Sequence, residues 1–344
     1  PKTPKPHETY LKLIHGRKSA AGRRTQNRVG LYSRSRGQGA PSRRAANCRS
    51  TVRKSKQLAA HHGPDKQLLA QFLQRQKGGP RCKGAYCVTD KEVSFLDNLT
   101  YEIGWVGRTE TPKNYIECNK KDNIFFKEKY YSELTFHYWY WKNMINLKDD
   151  SWIGFCQKRR FWIKPESEGK TINIDNIHDH LLQNMPNEWN KYESIICKPI
   201  NISGAKRIKI LKRGWRSILK DPIILFDKSR QNINLHFDMH HGHGNMDKAI
   251  EMLDNNDRTD FKNFVKTNQF FNPHLMFIAK QKITNEWFTK LFFWLEKCEK
   301  KIGFKSLAGY DTTRLYAYLA ERYLSFWFKK YTNYLESPWV FIDN

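Results

Sequence analysis

Two neighbouring arginines, Arg159 and Arg160, follow the apolar run Trp152–Cys156 after only Gln157 and Lys158. Paired guanidiniums grip phosphate or carboxylate oxygens bidentately, and at the carboxyl end of a strand they stand where α/β proteins hold ligands. The same residues also fit a plain basic surface loop. A second concentration of chemistry is His236-Phe-Asp-Met-His-His-Gly-His-Gly-Asn-Met-Asp247, with four His and two Asp in twelve residues. Such residues supply metal ligands or a general base. The spacing matches no established metal site, and Gly242 and Gly244 give the segment a loop-like texture. As bases the candidates are Asp238, His240, His241 and Asp247, and the spacing does not choose among them. Glu133 and His137 stand one helical turn apart, able to hydrogen-bond each other or line a cleft. Asn272-Pro273-His274 introduces another apolar run, and Pro273 biases Asn272 toward extended backbone. His274 then either meets substrate or satisfies its ring in the core. Near the C-terminus Glu321 and Arg322 fall within an apolar helical pattern, where a buried charge must be paired. Both are read as structural or supporting residues.

The elements that must position these groups are short apolar strands alternating with helices. Ala85–Thr89, Trp152–Cys156, Ser194–Cys197 and His274–Ala279 read as buried strands. Glu102–Val106, Tyr115–Cys118, Ile208–Leu211 and Ile223–Phe226 read as shorter ones. Helical periodicity marks Lys127–Ile145, Ile177–Asn184, Met246–Leu253, Asp260–Thr267, Asn285–Lys301 and Thr312–Tyr331. A final apolar stretch, Trp339–Ile342, closes the pattern. In the first of these helices Leu134, Tyr138, Trp141 and Ile145 form one stripe expected to face the core. The alternation predicts an α/β fold with a mostly parallel sheet flanked by helices.

The chain has 344 residues and a formal charge of +27, but the charge is unevenly placed. Residues 1–83 hold 21 Lys and Arg against Glu8 and Asp65, a balance of +19, and the rest hold 40 against 32, or +8. Apolar residues are too sparse in 1–83 to offset chain entropy, so a disordered basic arm is expected, with one short helix near Gln67–Gln76. Adhesion to RNA or to anionic lipid head groups is its functional reading. The folded part is expected at 84–344. Seven scattered cysteines without a CxxC pair fit a reducing, cytoplasmic setting and no zinc site. With a mean hydropathy of −0.78 and no apolar run near the ~20 residues that span a bilayer, an integral membrane protein is not expected.

Tyr131-Ser-Glu-Leu-Thr, Tyr138-Trp139, Trp141-Lys142-Asn143, Ile153-Gly154 and Arg159-Arg160 together resemble a family of bacterial polysaccharide-cluster proteins. These are capsular and exopolysaccharide glycosyltransferases, some known only as a domain of unknown function. Asn272-Pro-His-Leu-Met-Phe-Ile and the run Arg314-Leu-Tyr…Leu-Ala-Glu-Arg resemble later blocks of that family, so the resemblance spans about Ala85 to Asp343. It implies a GT-A-like, Rossmann-type hexosyltransferase with its nucleotide-sugar donor at the carboxyl ends of the first strands. The family's loop occupies the place where many such enzymes carry an Asp-X-Asp metal motif. Here the strand runs into Gln157-Lys158-Arg159-Arg160, which implies stabilisation of the leaving diphosphate by arginine, with no cofactor required and a divalent metal not favoured. Gln157 and Lys158 replace the family's usual His and Tyr, so no role of that His carries over. The donor-binding set implied is Thr89, Glu133, Lys142, Arg159, Arg160, Asn272 and His274. The partners implied are a nucleotide sugar and a polysaccharide or lipid-linked glycan acceptor, with the enzyme at the inner face of the plasma membrane. Two rivals stand beside this reading: an RNA-binding or ribosome-associated protein working through residues 1–83, and a metal-dependent hydrolase built on the His-rich segment.

Overall fold

The computed structural model describes residues 82–96 and 101–343. The expected arm and its short helix lie outside the described residues, except that Cys82 and Lys83 already belong to the first strand. Nine strands form one sheet. Its main path uses β1 (Cys82–Thr89), β2 (Tyr101–Trp105), β3 (Ile116–Glu117), β4 (Trp152–Gln157), β6 (Ser194–Cys197), β9 (Phe277–Lys280) and β10 (Tyr334–Ser337). The order is β10-β6-β9-β4-β1-β2-β3. Neighbours are parallel except that β9 runs antiparallel to both β4 and β6. The carboxyl ends of β1, β2, β4, β6 and β10 therefore share one edge with the amino end of β9. At that edge β5 (Arg160–Trp162) turns back from β4 and is covered by β11 (Trp339–Phe341). A separate two-stranded ribbon joins β7 (Ile200–Asn201) to β8 (Phe270–Phe271).

Both faces of the sheet are covered, which is why WIGFC reads as an unbroken apolar run rather than an alternating one. On one face lie helix α1 (Leu134–Asn143), α5 (Gln281–Ile302) and α6 (Leu315–Tyr331). They meet the strands through Tyr86, Phe136, Tyr140, Phe155, Phe277, Phe288 and Phe328, with ring centroids 4.9–5.8 Å apart. The opposite face is a second core of Cys87, Trp152, Trp162, Trp189, Ile195 and their neighbours. Three further helices complete the frame: α2 (Ile233–His241), α3 (Asn245–Glu251) and α4 (Asn255–Thr267).

Several expectations need correction. Ile208–Leu211 is helical, within Arg207–Arg213, and Ile223–Leu225 belongs to the helical turn Pro222–Leu225, which Phe226 ends. Their β-branched content suggested strands, but the side chain of Asp221 accepts the Ile223 N–H and Pro222 sits at the first position, which starts a helical turn. The His-rich segment is helical in α2 up to His241, turns at Gly242–Gly244, and continues into α3 from Asn245. Asn232 caps α2 by accepting the Leu235 N–H at 2.9 Å, and Gly242, at φ 98°, ends it. His274 precedes β9 instead of opening it. The expected stripe of α1 is only half-buried, because Tyr138 and Trp141 pack on Phe292 of α5 while Phe136, His137 and Tyr140 face the sheet. The helical stretch 127–145 is itself broken at Ser132.

Candidate active site

The arginines sit on the β4–β5 hairpin, where Gln157 pairs with Arg160 across the two-residue turn Lys158-Arg159. Such a turn requires positive φ, and Arg159 adopts 72° without being glycine. That conformation costs an L-residue ~1–2 kcal/mol, so the surroundings must hold it. They do: Lys158 N donates to Val88 O at 3.1 Å, Ile342 N to Arg159 O at 2.9 Å, and Lys158 is paired with Asp90. Arg159 is ion-paired with Asp343, and both guanidiniums lie on the Phe341 ring, at 4.8 and 5.1 Å. Each arginine keeps a buried Nε without a hydrogen-bond acceptor, and Arg160 forms no ion pair among the described residues.

Glu133 reaches this hairpin by a second irregularity. Ser132, at φ 51° and ψ −129°, separates the turn Glu128–Tyr131 from α1 and places Glu133 at the head of α1. Its carboxylate accepts a hydrogen bond from the Gln157 side-chain amide. Glu133 and His137 share only a backbone bond. The His137 ring is buried against Phe155, Phe277 and Phe288, and burial pushes its pKa down to about 3. It is a neutral core histidine. Thr89 ends β1 fully buried, its Oγ accepting the Lys91 N–H at 3.0 Å and its carbonyl accepting Val106 N–H at 2.9 Å. Lys142 does not join the group. It lies nine residues along α1 from Glu133, about 13 Å at the helical rise, toward the opposite edge of the sheet, with its ammonium 3.6 Å over Trp141.

Asn272 and His274 do reach the carboxyl edge. Asn272 is fully buried, donating from Nδ2 to Cys197 O at 2.6 Å and to Glu336 Oε1 at 3.1 Å, while its Oδ1 has no partner. His274 and Leu275 take φ values of 73° and 50°. This turn aims the His274 N–H at Glu321 Oε1, 2.6 Å away, and sets the ring edge-on to Trp339 at 4.6 Å. Burial first, then the nearby Arg160 and Arg322, hold the His274 pKa well below its ordinary value. Of the non-glycine residues at positive φ among those described, Ser132, Arg159, His274 and Leu275 lie at this edge, and Asn114 and Lys121 lie elsewhere in loops; functional sites are one place where such strain is stored.

The candidate bases belong to a neighbouring layer. Burial also depresses His236 and His241, so both are neutral near pH 7. His241 donates from Nδ1 to the Asp311 carbonyl at 2.8 Å, which leaves Nε2 as the proton acceptor, and it stacks on Tyr318 at 3.8 Å. His240 Nδ1 accepts from Arg213 at 3.3 Å. Asp238, whose pKa burial raises, is engaged by Gly244 N–H at 3.0 Å and His243 at 3.1 Å. Asp247 lies half-exposed on α3. Four residues of α6 at helical spacing tie this layer to the edge: Tyr318 to His241, Glu321 to His274, Arg322 to His236, and Ser325 to Asn272. Arg322 is 2% exposed, paired with Glu321 and stacked 3.8 Å over Phe271, as its place in an apolar pattern required. Sequence reasoning did not assign a site role to Tyr318, Ser325, Phe341 or Asp343. For the first two the signal was there, as polar positions on one face of an apolar helix.

The acidic neighbours of the hairpin are each engaged, Asp90 by Lys158, Asp343 by Arg159 and Glu133 by Gln157, and no group of three His, Cys, Asp or Glu able to hold a metal is found among the described residues.

A mostly parallel sheet with β9 reversed within it, helices on its face and a charged hairpin at its carboxyl edge defines a Rossmann-type α/β domain. The fold matches the apo structure of WbbM, a bifunctional glycosyltransferase, with a TM-score of 0.53 over 77% of this chain and 46% of that one. At 20% identity the likeness is one of fold, and the chain spans under half of that protein's length. By sequence the chain belongs to the DUF4422 family, a domain of unknown function whose model matches residues 85–333. No curated protein matches the chain.

Proposed function

We propose that this protein is a glycosyltransferase moving a hexosyl group from a nucleotide sugar to a cell-surface polysaccharide or lipid-linked acceptor. The observation that carries the reading is the strained arginine hairpin at the carboxyl end of the central parallel strand. As the bond from the sugar's anomeric carbon to the diphosphate breaks, negative charge develops on the leaving oxygen. Fixed guanidiniums there stabilise it without reorganisation. Arg160 is the principal group, since it forms no ion pair among the described residues. Arg159 exchanges Asp343, whose carboxylate is 57% exposed, for a phosphate oxygen, and a pair that open is cheap to release. Glu133, through Gln157, and Thr89 set the hairpin and the β1 end. Asn272, with its unpartnered buried oxygen, and His274 line the sugar side. Of the four candidate bases His241 is favoured, because it is neutral and presents Nε2 as an acceptor for the hydroxyl proton. Asp238, already engaged by two donors, and His240 and Asp247 follow. Capsule, exopolysaccharide or lipopolysaccharide assembly is the proposed setting, and donor binding is proposed to need no metal.

The test is a thermal-shift and turnover screen against nucleotide sugars, with manganese and with EDTA. Arg160→Ala should lose about 10²–10³-fold in kcat/KM, and Arg159→Ala should lose less. Full activity in both variants would sink the clamp, and no donor-induced shift with any nucleotide sugar would sink the transferase reading.

A further inference from the structure

We propose that residues 206–230 form a docking surface for an anionic lipid bilayer. Fourteen large hydrophobic residues are exposed among those described, and six of them fall in this one stretch: Ile208, Leu211, Trp215, Leu219, Ile223 and Phe226. Leu219 and Phe226 are about as open as side chains become, at 75% and 74%. Single exposed apolar residues need no explanation, but a cluster does. The elements carrying them are the short helices Arg207–Arg213 and Trp215–Lys220 and the turn Pro222–Leu225. Their inner sides hold the stretch to the domain, where Ile210 and Ile224 pack with Leu235 and Met239 of α2. The outer side has no protein over it among the described residues.

Charge identifies the occupant. The stretch carries nine Lys and Arg against Asp221 and Asp227, a balance of +7. Arg207 lies 5.8 Å from the Phe226 ring and Arg216 5.2 Å from Trp215, so cations rim the apolar side chains. A second copy would bring the same excess of positive charge face to face, and protein interfaces are poor in lysine. RNA would meet the charge but not the aliphatic side chains, since bases stack on aromatic rings. A bilayer with anionic head groups satisfies both, taking Leu, Ile and Phe into the acyl boundary and Lys and Arg at the head groups, with Trp between. The surface is distinct from the basic segment 1–83 and does not depend on the transferase reading. It does deepen that reading. Ile210, on the first of these helices, packs in one cluster with Met239 of α2, two residues before His241. A lipid-linked acceptor held in the membrane plane would arrive beside the favoured base.

Co-sedimentation of the full chain with phosphatidylcholine vesicles, with and without about 30% phosphatidylglycerol, tests the proposal. The wild type should partition to the anionic vesicles. The double variant Leu219→Lys/Phe226→Lys should partition about tenfold or more weakly, although it carries two more positive charges. Electrostatics acting elsewhere in the chain predicts the opposite sign, so equal or stronger binding by the variant overturns the proposal. So does failure of the wild type to bind, or a lipid-free dimer that the variant dissociates, which would make the surface a contact between copies. Leu219→Ser, a milder change at the same exposed position, should weaken binding in the same direction. An unchanged melting temperature and unchanged nucleotide-sugar thermal shift in the variants keep loss of docking distinct from failure of the transferase reading.

Discussion

Replacing His137 by leucine should make the protein less sensitive to acid. The ring is fully buried in an aromatic pocket, its Nδ1 has no partner, and burial holds its pKa at about 3 against an ordinary value of 6.5. The folded state thus keeps His137 neutral while the unfolded chain protonates it, so between pH 6.5 and 3 the unfolded chain binds the extra proton. Stability from this group is present above pH 6.5 and lost as the pH falls through that window. At 1.36 kcal/mol per pH unit the loss reaches about 2 kcal/mol at pH 5. Leucine cannot be protonated and is of comparable bulk. The stability difference between variant and wild type should therefore grow in the variant's favour by about 2 kcal/mol between pH 7.5 and pH 5. For a domain of this size that is roughly 4–8 °C in melting temperature. Circular dichroism melts of both proteins at pH 7.5, 6 and 5 measure it. His236, His241 and His274 are depressed as well but are common to both proteins, so they cancel. Parallel melting curves across the three pH values would refute the argument.

Two other perturbations follow from the packing. Glu321→Ala strands the buried Arg322 guanidinium and should cost ~3–5 kcal/mol in urea unfolding, whereas replacing Glu321 and Arg322 together by leucine and methionine should cost much less; equal losses in the two cases would show that the pair is not the cause. A Cβ at Gly104 would overlap the Phe136 ring, while one at Gly154 meets Ile278 at 3.1 Å. Gly104→Ala should therefore destabilise by ~1–3 kcal/mol and Gly154→Ala by less, in the same urea assay.

The fold was legible where hydrophobic period and length agreed, as in Ala85–Thr89, Trp152–Cys156 and the two long C-terminal helices. It was misread where local chemistry outweighed composition. Ile223–Phe226 looked like a strand until the Asp221-Pro222 start is considered, and the glycines after His241 mark a short turn between α2 and α3 rather than a loop through the whole segment. Of the site, the arginine pair and Asn272-Pro-His274 were visible as residue types. Their convergence was not, because it depends on β9 running backwards between β4 and β6 and on positive φ at Ser132, Arg159 and His274. Of those three, only His is a type enriched in such a backbone, and neither Ser132 nor Arg159 advertises it. Lys142 was implied in the same donor set as Glu133, and a shared motif says nothing of the length of helix between the two residues.

Tyr318, Glu321, Arg322 and Ser325 project from one face of one rigid rod, each gripping a different piece of the proposed site. A rod that slides or rolls displaces all four grips at once. Substitutions at His241 and at Asn272, which touch neither each other nor a common loop, should therefore fail to add in their effects. Under the proposed function, a change of acceptor on the His241 side would be felt on the donor side through the same lever, and the two specificities would drift together.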